Sequence, residues 1–178
     1  MSVKYIKLGS KLSNFDPMII TINSPFFFIQ NMTICYKCNA NTPVISLAAA
    51  SYKTLKEEIM ELNDLFFFSN VIPRDEILRN LLKTKFSYFR PFFSKTADQE
   101  YWANHCVFCN AAQGDWFLHS EPGEAFFPLE ESEWKNYLFI NYSTVQTVEF
   151  DGEPTKIKNG NIFQKIARHI DFGQFPGA

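Results

Sequence analysis

The sequence predicts an α+β fold: a mainly antiparallel sheet with about three helices, held as a single domain over residues 1–178. Three observations predict it. Short apolar segments of β character recur along the chain, punctuated by Asn, Pro and Gly. Three other stretches place apolar residues at helical spacing. The four cysteines fall in two copies of one hexapeptide, Cys35-Tyr-Lys-Cys38-Asn39-Ala40 and Cys106-Val-Phe-Cys109-Asn110-Ala111, so two distant segments share one staple.

Taken in order, the segment Val3 to Leu8 alternates and reads as a strand. Met18–Ile22 and Phe26–Ile29 read as two more, broken at Asn23-Ser24-Pro25. Met32 to Ile34 leads into the first cysteine turn and Pro43 to Ala48 leads out of it. Between Cys38 and Cys106 lie 67 residues, and within them 51–85 reads as a helical insert. Thr54-Leu-Lys-Glu57 fits a capping box, after which Leu55, Ile59, Leu62 and Phe66 recur at helical spacing. Pro73 suits the first turn of a second helix, with Asp75 and Glu76 at its start and Ile77, Leu78, Leu81 and Leu82 on one face. A short aromatic strand follows over 86–93. The second cysteine turn is entered by a strand at Tyr101–Asn104 and left by one at Asp115–His119. Pro122-Gly123 marks a turn before a short strand at Ala125–Phe127, and Tyr142–Phe150 reads as a strand closed by Asp151-Gly152. Last, Ile162, Phe163, Ile166, Ala167 and Ile170 lie on one side of a helix that Gly173 would end.

The cysteine spacing points to metal. A tetrahedral Zn²⁺ wants four soft donors, and C-x2-C lets one tight turn supply two of them. The residue after each second cysteine often needs a positive φ, which Asn tolerates better than most residues, and Asn39 and Asn110 stand there. One structural Zn²⁺ on Cys35, Cys38, Cys106 and Cys109 is therefore expected. A redox C-x-x-C needs only one pair. A four-cysteine iron–sulfur cluster fits the same spacing. Disulfides suit a secreted chain, yet the residues after Met1 contain no apolar h-region, so the chain reads as reduced and cytoplasmic.

Residues 31–48 and 101–119 resemble the two knuckles of a zinc-ribbon module, here with the long insertion between them. The resemblance implies a metal staple. It implies little about function, because such ribbons serve in transcription factors, ribosomal proteins, enzymes and adaptors alike. Small acidic bacterial proteins with this kind of staple look like accessory or immunity proteins that bind one partner.

Composition narrows the partner. Net charge is −2, and the 17 Lys and Arg are scattered, with no basic cluster of the kind that tracks phosphates. No apolar run approaches the roughly 18 residues that span a bilayer, so no membrane role is expected. Phenylalanine is abundant at 20 residues and clusters at 26–28, 66–68, 92–93 and 126–127. Such clusters suit either a doubly covered sheet or a partner-binding patch.

No G-x-S-x-G elbow, phosphate loop or H-E-x-x-H helix is present. His105 beside Cys106 reads as a neighbour of the metal rather than a ligand, and His169 as a cation at a helix C-terminal turn. His119, Glu121 and Asp115 would make an acid/base cluster if His119-Ser-Glu121 were a strand, where both side chains share a face. Tyr36, Lys37, Val107 and Phe108 at the knuckle tips offer stacking to nucleic acid. The favoured reading is a non-enzymatic module that binds another protein through Tyr36, Phe108, Trp102 and Trp116, most concretely an inhibitor or immunity-type protein on a basic partner enzyme. Nucleic-acid binding is the first alternative and enzyme activity the second.

Overall fold

The computed structural model describes residues 5–7, 18–60, 63–95, 98–144 and 146–177. They form thirteen strands: β1 (Tyr5–Lys7), β2 (Ile19–Asn23), β3 (Phe26–Ile34), β4 (Asn41–Ala49), β5 (Ser51–Lys53), β6 (Glu58–Met60), β7 (Leu65–Pro73), β8 (Phe89–Ser94), β9 (Gln99–His105), β10 (Ala112–Gln113), β11 (Leu138–Tyr142), β12 (Thr147–Ile157) and β13 (Arg168–Asp171). Helices α1 (Glu76–Lys85), α2 (Asp115–Ser120) and α3 (Gly160–Phe163) are joined by short 3-10 turns at 131–136, 164–166 and 172–174. The large sheet runs β13-β11-β3-β4-β7-β12-β2-β5-β6, with β1 added on β12, and a second sheet runs β10-β9-β8. Every pairing is antiparallel except β11 with β13. The expected mixed fold with a mainly antiparallel sheet is thus observed.

The phenylalanine triplets at 26–28 and 66–68 follow from strand geometry. On β7, Phe66 and Phe68 enter one core with Phe26, Phe28, Tyr52 and Phe150, while Phe67 enters the opposite core with Phe126, Trp134 and Phe139. Successive side chains on a strand point to opposite faces, so a Phe triplet fills both layers of a sheet covered on both sides. The rings meet edge to face, Tyr52 with Phe66 at 5.0 Å and Phe68 with Phe150 at 5.1 Å between centroids. Each buried ring contributes about 1.5–3 kcal/mol of transfer free energy. Helix α1 covers the first core through Leu78 and Leu82.

Several elements differ from the sequence expectation. Most of the insert 51–85 is sheet. Thr54 and Glu57 do make cap-like bonds, the Thr54 hydroxyl accepting from the Lys56 and Glu57 amides at 3.2 Å, but they close the β5–β6 hairpin, where Thr54 N–H donates to the Glu57 carbonyl at 2.8 Å. Leu55, which a helix would bury, is 84% exposed. Leu62 lies outside the described residues. The second helix forms with Asp75 as its N-cap, accepting from Leu78 N–H at 2.7 Å, and Pro73 ends β7 rather than starting the helix. Asp115–His119 is helical, and Ala125–Phe127 forms no strand. The segment expected as one strand at 142–150 is split between the end of β11 and the start of β12. Asp151-Gly152 is not a turn: it lies within β12, where the register against β7 shifts between Asp151 and Glu153. A Cβ on Gly152 would come within 3.1 Å of the Phe150 ring and 3.2 Å of the Ser69 carbonyl oxygen, which is why glycine stands there. The last helix is a single turn, α3, after which the chain returns as β13; Ile162 and Ile166 are exposed and His169 stacks on Phe139 at 5.2 Å. Of the first strand expected at Val3–Leu8, β1 is described and the flanking residues lie outside the described set. No helix among the described residues is long and apolar enough to cross a membrane.

Candidate metal centre and its aromatic rim

The first C-x2-C turn caps the β3–β4 hairpin and the second lies between β9 and β10, so each sheet contributes one. The two turns share one hydrogen-bond plan. Cys35 N–H donates to the Ala40 carbonyl and Asn39 N–H to the Cys35 carbonyl, both at 2.9 Å; Cys106 donates to Ala111 and Asn110 to Cys106, again at 2.9 Å. Asn39 and Asn110 adopt φ of 58° and 63°, as their position in the turn demands.

All four Sγ atoms lie within 4.8 Å of one another, with Cys35–Cys109 and Cys38–Cys106 at 3.6 Å. A tetrahedron with Zn–S bonds of about 2.3 Å has edges of about 3.8 Å, so the sulfurs are spaced to receive one ion. The surrounding donors favour thiolate. Burial raises the Cys35 thiol, but the Cys38 and Lys37 amides and the neighbouring sulfurs outweigh it and hold it below the usual thiol range. Burial likewise raises Cys106, and the Cys109 and Phe108 amides outweigh it. The Ala40 amide lowers Cys38, yet burial and three crowded sulfurs push that thiol up. Four thiolates at this spacing repel one another without a cation at the centre. Gln113, which the sequence did not single out, donates its buried Nε2 to Cys35 Sγ at 3.5 Å and to the Ala111 carbonyl at 2.8 Å. Arg90 on β8 donates to Asn110 Oδ1 and ties down the second turn.

Two polar contacts fix the sheets to each other beside the sulfurs. Past Phe68, β7 bulges at Asn70 (φ 53°) and stops pairing with β4, whose partners on that side are only Leu47–Ala49. Ile45 is left with an open N–H and C=O. Asn104 of β9 takes both: its Oδ1 accepts from Ile45 N–H at 2.7 Å and its Nδ2 donates to Ile45 O at 2.9 Å. Val107 N–H donates to Thr42 Oγ1 at 3.1 Å, a second link from one cysteine turn to the other's hairpin.

The partner-binding candidates divide. Tyr36 and Phe108 are 73% and 70% exposed at the two knuckle tips, and Trp116 is exposed on α2 with its ring on Phe117. Ile34, Val107 and Phe117 are exposed as well. Trp102 is 5% exposed and packs on Phe89 in the core, so it offers no surface to a partner.

The acid/base candidates lose the strand geometry that brought them together. Asp115 and His119 lie one turn apart on α2 and Glu121 is its C-cap, so the i, i+2 spacing of His119 and Glu121 no longer sets them on one face. His119 is buried against the Phe126 ring at 4.8 Å. Asp115 is buried and accepts through Oδ2 from Asn70 N–H at 2.7 Å, satisfying the amide that the β7 bulge frees; its Oδ1 has no hydrogen-bond partner among the described residues. Burial pushes this carboxyl up to about 7, the Asn70 amide opposing and Glu153 adding to the shift. His105 is buried with Nδ1 donating to the Ala103 carbonyl at 2.9 Å, and burial followed by the Arg90 charge holds its pKa below the usual range. Its ring packs edge to face on Phe92.

No protein-family model, no curated protein and no solved structure matches this chain. The four sulfurs and their setting therefore carry the functional argument.

Proposed function

We propose that this chain is a non-enzymatic protein-binding module stapled by one structural zinc ion on Cys35, Cys38, Cys106 and Cys109. The donor set favours zinc: four soft thiolates at tetrahedral spacing suit Zn²⁺ and leave it no open coordination position for water or substrate. When bound, the ion supplies a rigid node between the two sheets. Amide donors and Gln113 then stabilise the sulfur charge around it.

One observation carries the binding half. Large rings, Tyr36 and Phe108, face solvent at the tips of two turns whose sulfurs meet within 4.8 Å. Rings held on a rigid frame lose little freedom on association and are the side chains that anchor protein interfaces. Trp116 and Phe117 on α2 add a second pair of exposed rings in contact with each other. The most concrete form of the reading is an inhibitor or immunity-type protein acting in the cytoplasm. Nucleic acid fits less well, because Lys37 is the single basic residue within the two turns and phosphate neutralisation dominates such binding.

The test is affinity capture from host lysate with the wild-type chain and with Tyr36→Ala/Phe108→Ala, each with and without nuclease. The expected result is a stoichiometric protein that survives nuclease and is lost with the two rings. Recovery of RNA or DNA alone, abolished by nuclease, overturns the reading.

A further inference from the structure

The outer half of β3 leaves one edge open. β11 pairs with β3 only over Phe26–Gln30, and beyond it no described strand pairs on that side with Asn31–Ile34. On the other side Met32 stands opposite Pro43, which has no N–H to give, so the Met32 N–H and C=O point away from β4. Ile34, two residues on, turns its backbone the same way. The Met32 N–H is held by the Asn31 side chain at 2.8 Å, a local bond that an incoming strand replaces readily. Both Met32 and Ile34 also expose their side chains.

This edge lines a groove of about 460 Å³, whose far wall is the segment after α2. Asn31 Nδ2 donates to the Ala125 carbonyl at 2.8 Å and Thr33 Oγ1 to Glu124 Oε2 at 3.3 Å, so side chains hold the wall at a fixed distance from the strand. The wall is strongly acidic. Residues 121–133 contain Glu121, Glu124, Glu130, Glu131 and Glu133 with no Lys or Arg, against a net charge of −2 for the whole chain. Glu124 and Glu133 line the groove itself, and among the described residues no Lys or Arg does. An open strand edge captures extended backbone through main-chain bonds, and one-signed charge along its wall selects the opposite sign.

We propose that this groove receives an extended, lysine- or arginine-bearing segment of the partner protein, which adds to β3 at Met32–Ile34 as an extra strand while its cations face Glu124 and Glu133. The inference rests on the protein-binding reading and names the partner's chemistry. Ile34 adjoins Cys35, so a segment leaving the groove runs directly onto the first knuckle and Tyr36.

The test uses the full-length ¹⁵N-labelled chain and two capped octapeptides, one alternating Val and Lys, the other Val and Glu. The Lys peptide should shift the Met32, Ile34 and Glu124 amides, bind more weakly as salt rises, and lose about three- to tenfold in affinity against Glu124→Gln/Glu133→Gln. The Glu peptide should leave those amides unmoved. Because both glutamates are at the surface and glutamine keeps an acceptor at each position, an unchanged spectrum elsewhere verifies that the variant folds. Equal binding of both peptides, shifts confined to Tyr36 and Phe108, or no shift at all overturns the groove assignment. None of these results would alter the ring-dependent capture described above, so the two claims fail separately.

Discussion

Asp115 gives the most quantitative handle on this fold, because a buried carboxyl with a raised pKa makes stability fall with pH. The perturbation is Asp115→Asn. In the folded chain the carboxyl titrates near 7, against 3.8 for the ordinary group. Below pH 3.8 both states hold the proton and the site costs nothing extra. Between these values the unfolded chain ionises first, so the folded state binds more protons and unfolding becomes easier as pH rises. The loss accrues at about 1.4 kcal/mol per pH unit and totals roughly 4 kcal/mol once pH passes the folded value. Asparagine keeps an oxygen for Asn70 N–H and carries no charge, so the variant should escape that loss. Urea unfolding of both chains at pH 5.5, 6.25, 7 and 7.75, with zinc saturating, supplies the difference curve. Thiolate protonation at the metal site changes with pH in both chains and cancels in the difference. The variant should gain on the wild type by about 2 kcal/mol between pH 5.5 and 7, then level off. A difference that is flat, or that favours the wild type as pH rises, refutes the buried, ionisable Asp115.

Asn104→Ala should destabilise by about 2–5 kcal/mol in the same unfolding assay, because it strips both backbone groups of Ile45 of their partner at a fully buried site; a loss under about 1 kcal/mol would mean that the sheets do not dock through this amide. Gly160→Ala places a Cβ 2.4 Å from the Leu65 Cβ, and with backbone of Leu65 also close the strand cannot give way cheaply. It should lower stability by about 1–3 kcal/mol, and an unchanged unfolding midpoint would contradict the close packing of α3 on β7.

What could be read from the sequence was what local chemistry decides. Each C-x2-C-Asn turn carries its geometry in six residues, so Cys35, Cys38, Cys106 and Cys109 were legible even though the chain between them was misread. The phenylalanine triplets suited either a doubly covered sheet or a partner-binding patch; only the strand pairing, which buries Phe66 and Phe68 in one core and Phe67 in the other, selects the first. The hairpin at 51–60 was not legible, because the Thr54 hydroxyl accepts from the Glu57 amide in a helix cap and in a tight turn alike. Asn104, Gln113 and Asp115 act on amides and sulfurs 45 to 78 residues away, and nothing in their neighbours signals it. The acidic wall differs: five glutamates between 121 and 133 were visible as composition, but the open edge of β3 that gives them meaning depends on where β11 stops pairing.

The central claim is that a single zinc ion on four thiolates joins the two sheets, and metal analysis with unfolding tests it most directly. Purified without added metal, the wild-type chain should carry about one zinc per chain by plasma mass spectrometry, and a strong chelator should lower its unfolding midpoint, since an ion bound only by the folded state adds to its stability. Cys106→Ser should lose the zinc and show no further response to the chelator. Iron in place of zinc, no metal at all, or a wild-type midpoint indifferent to chelation would contradict the account.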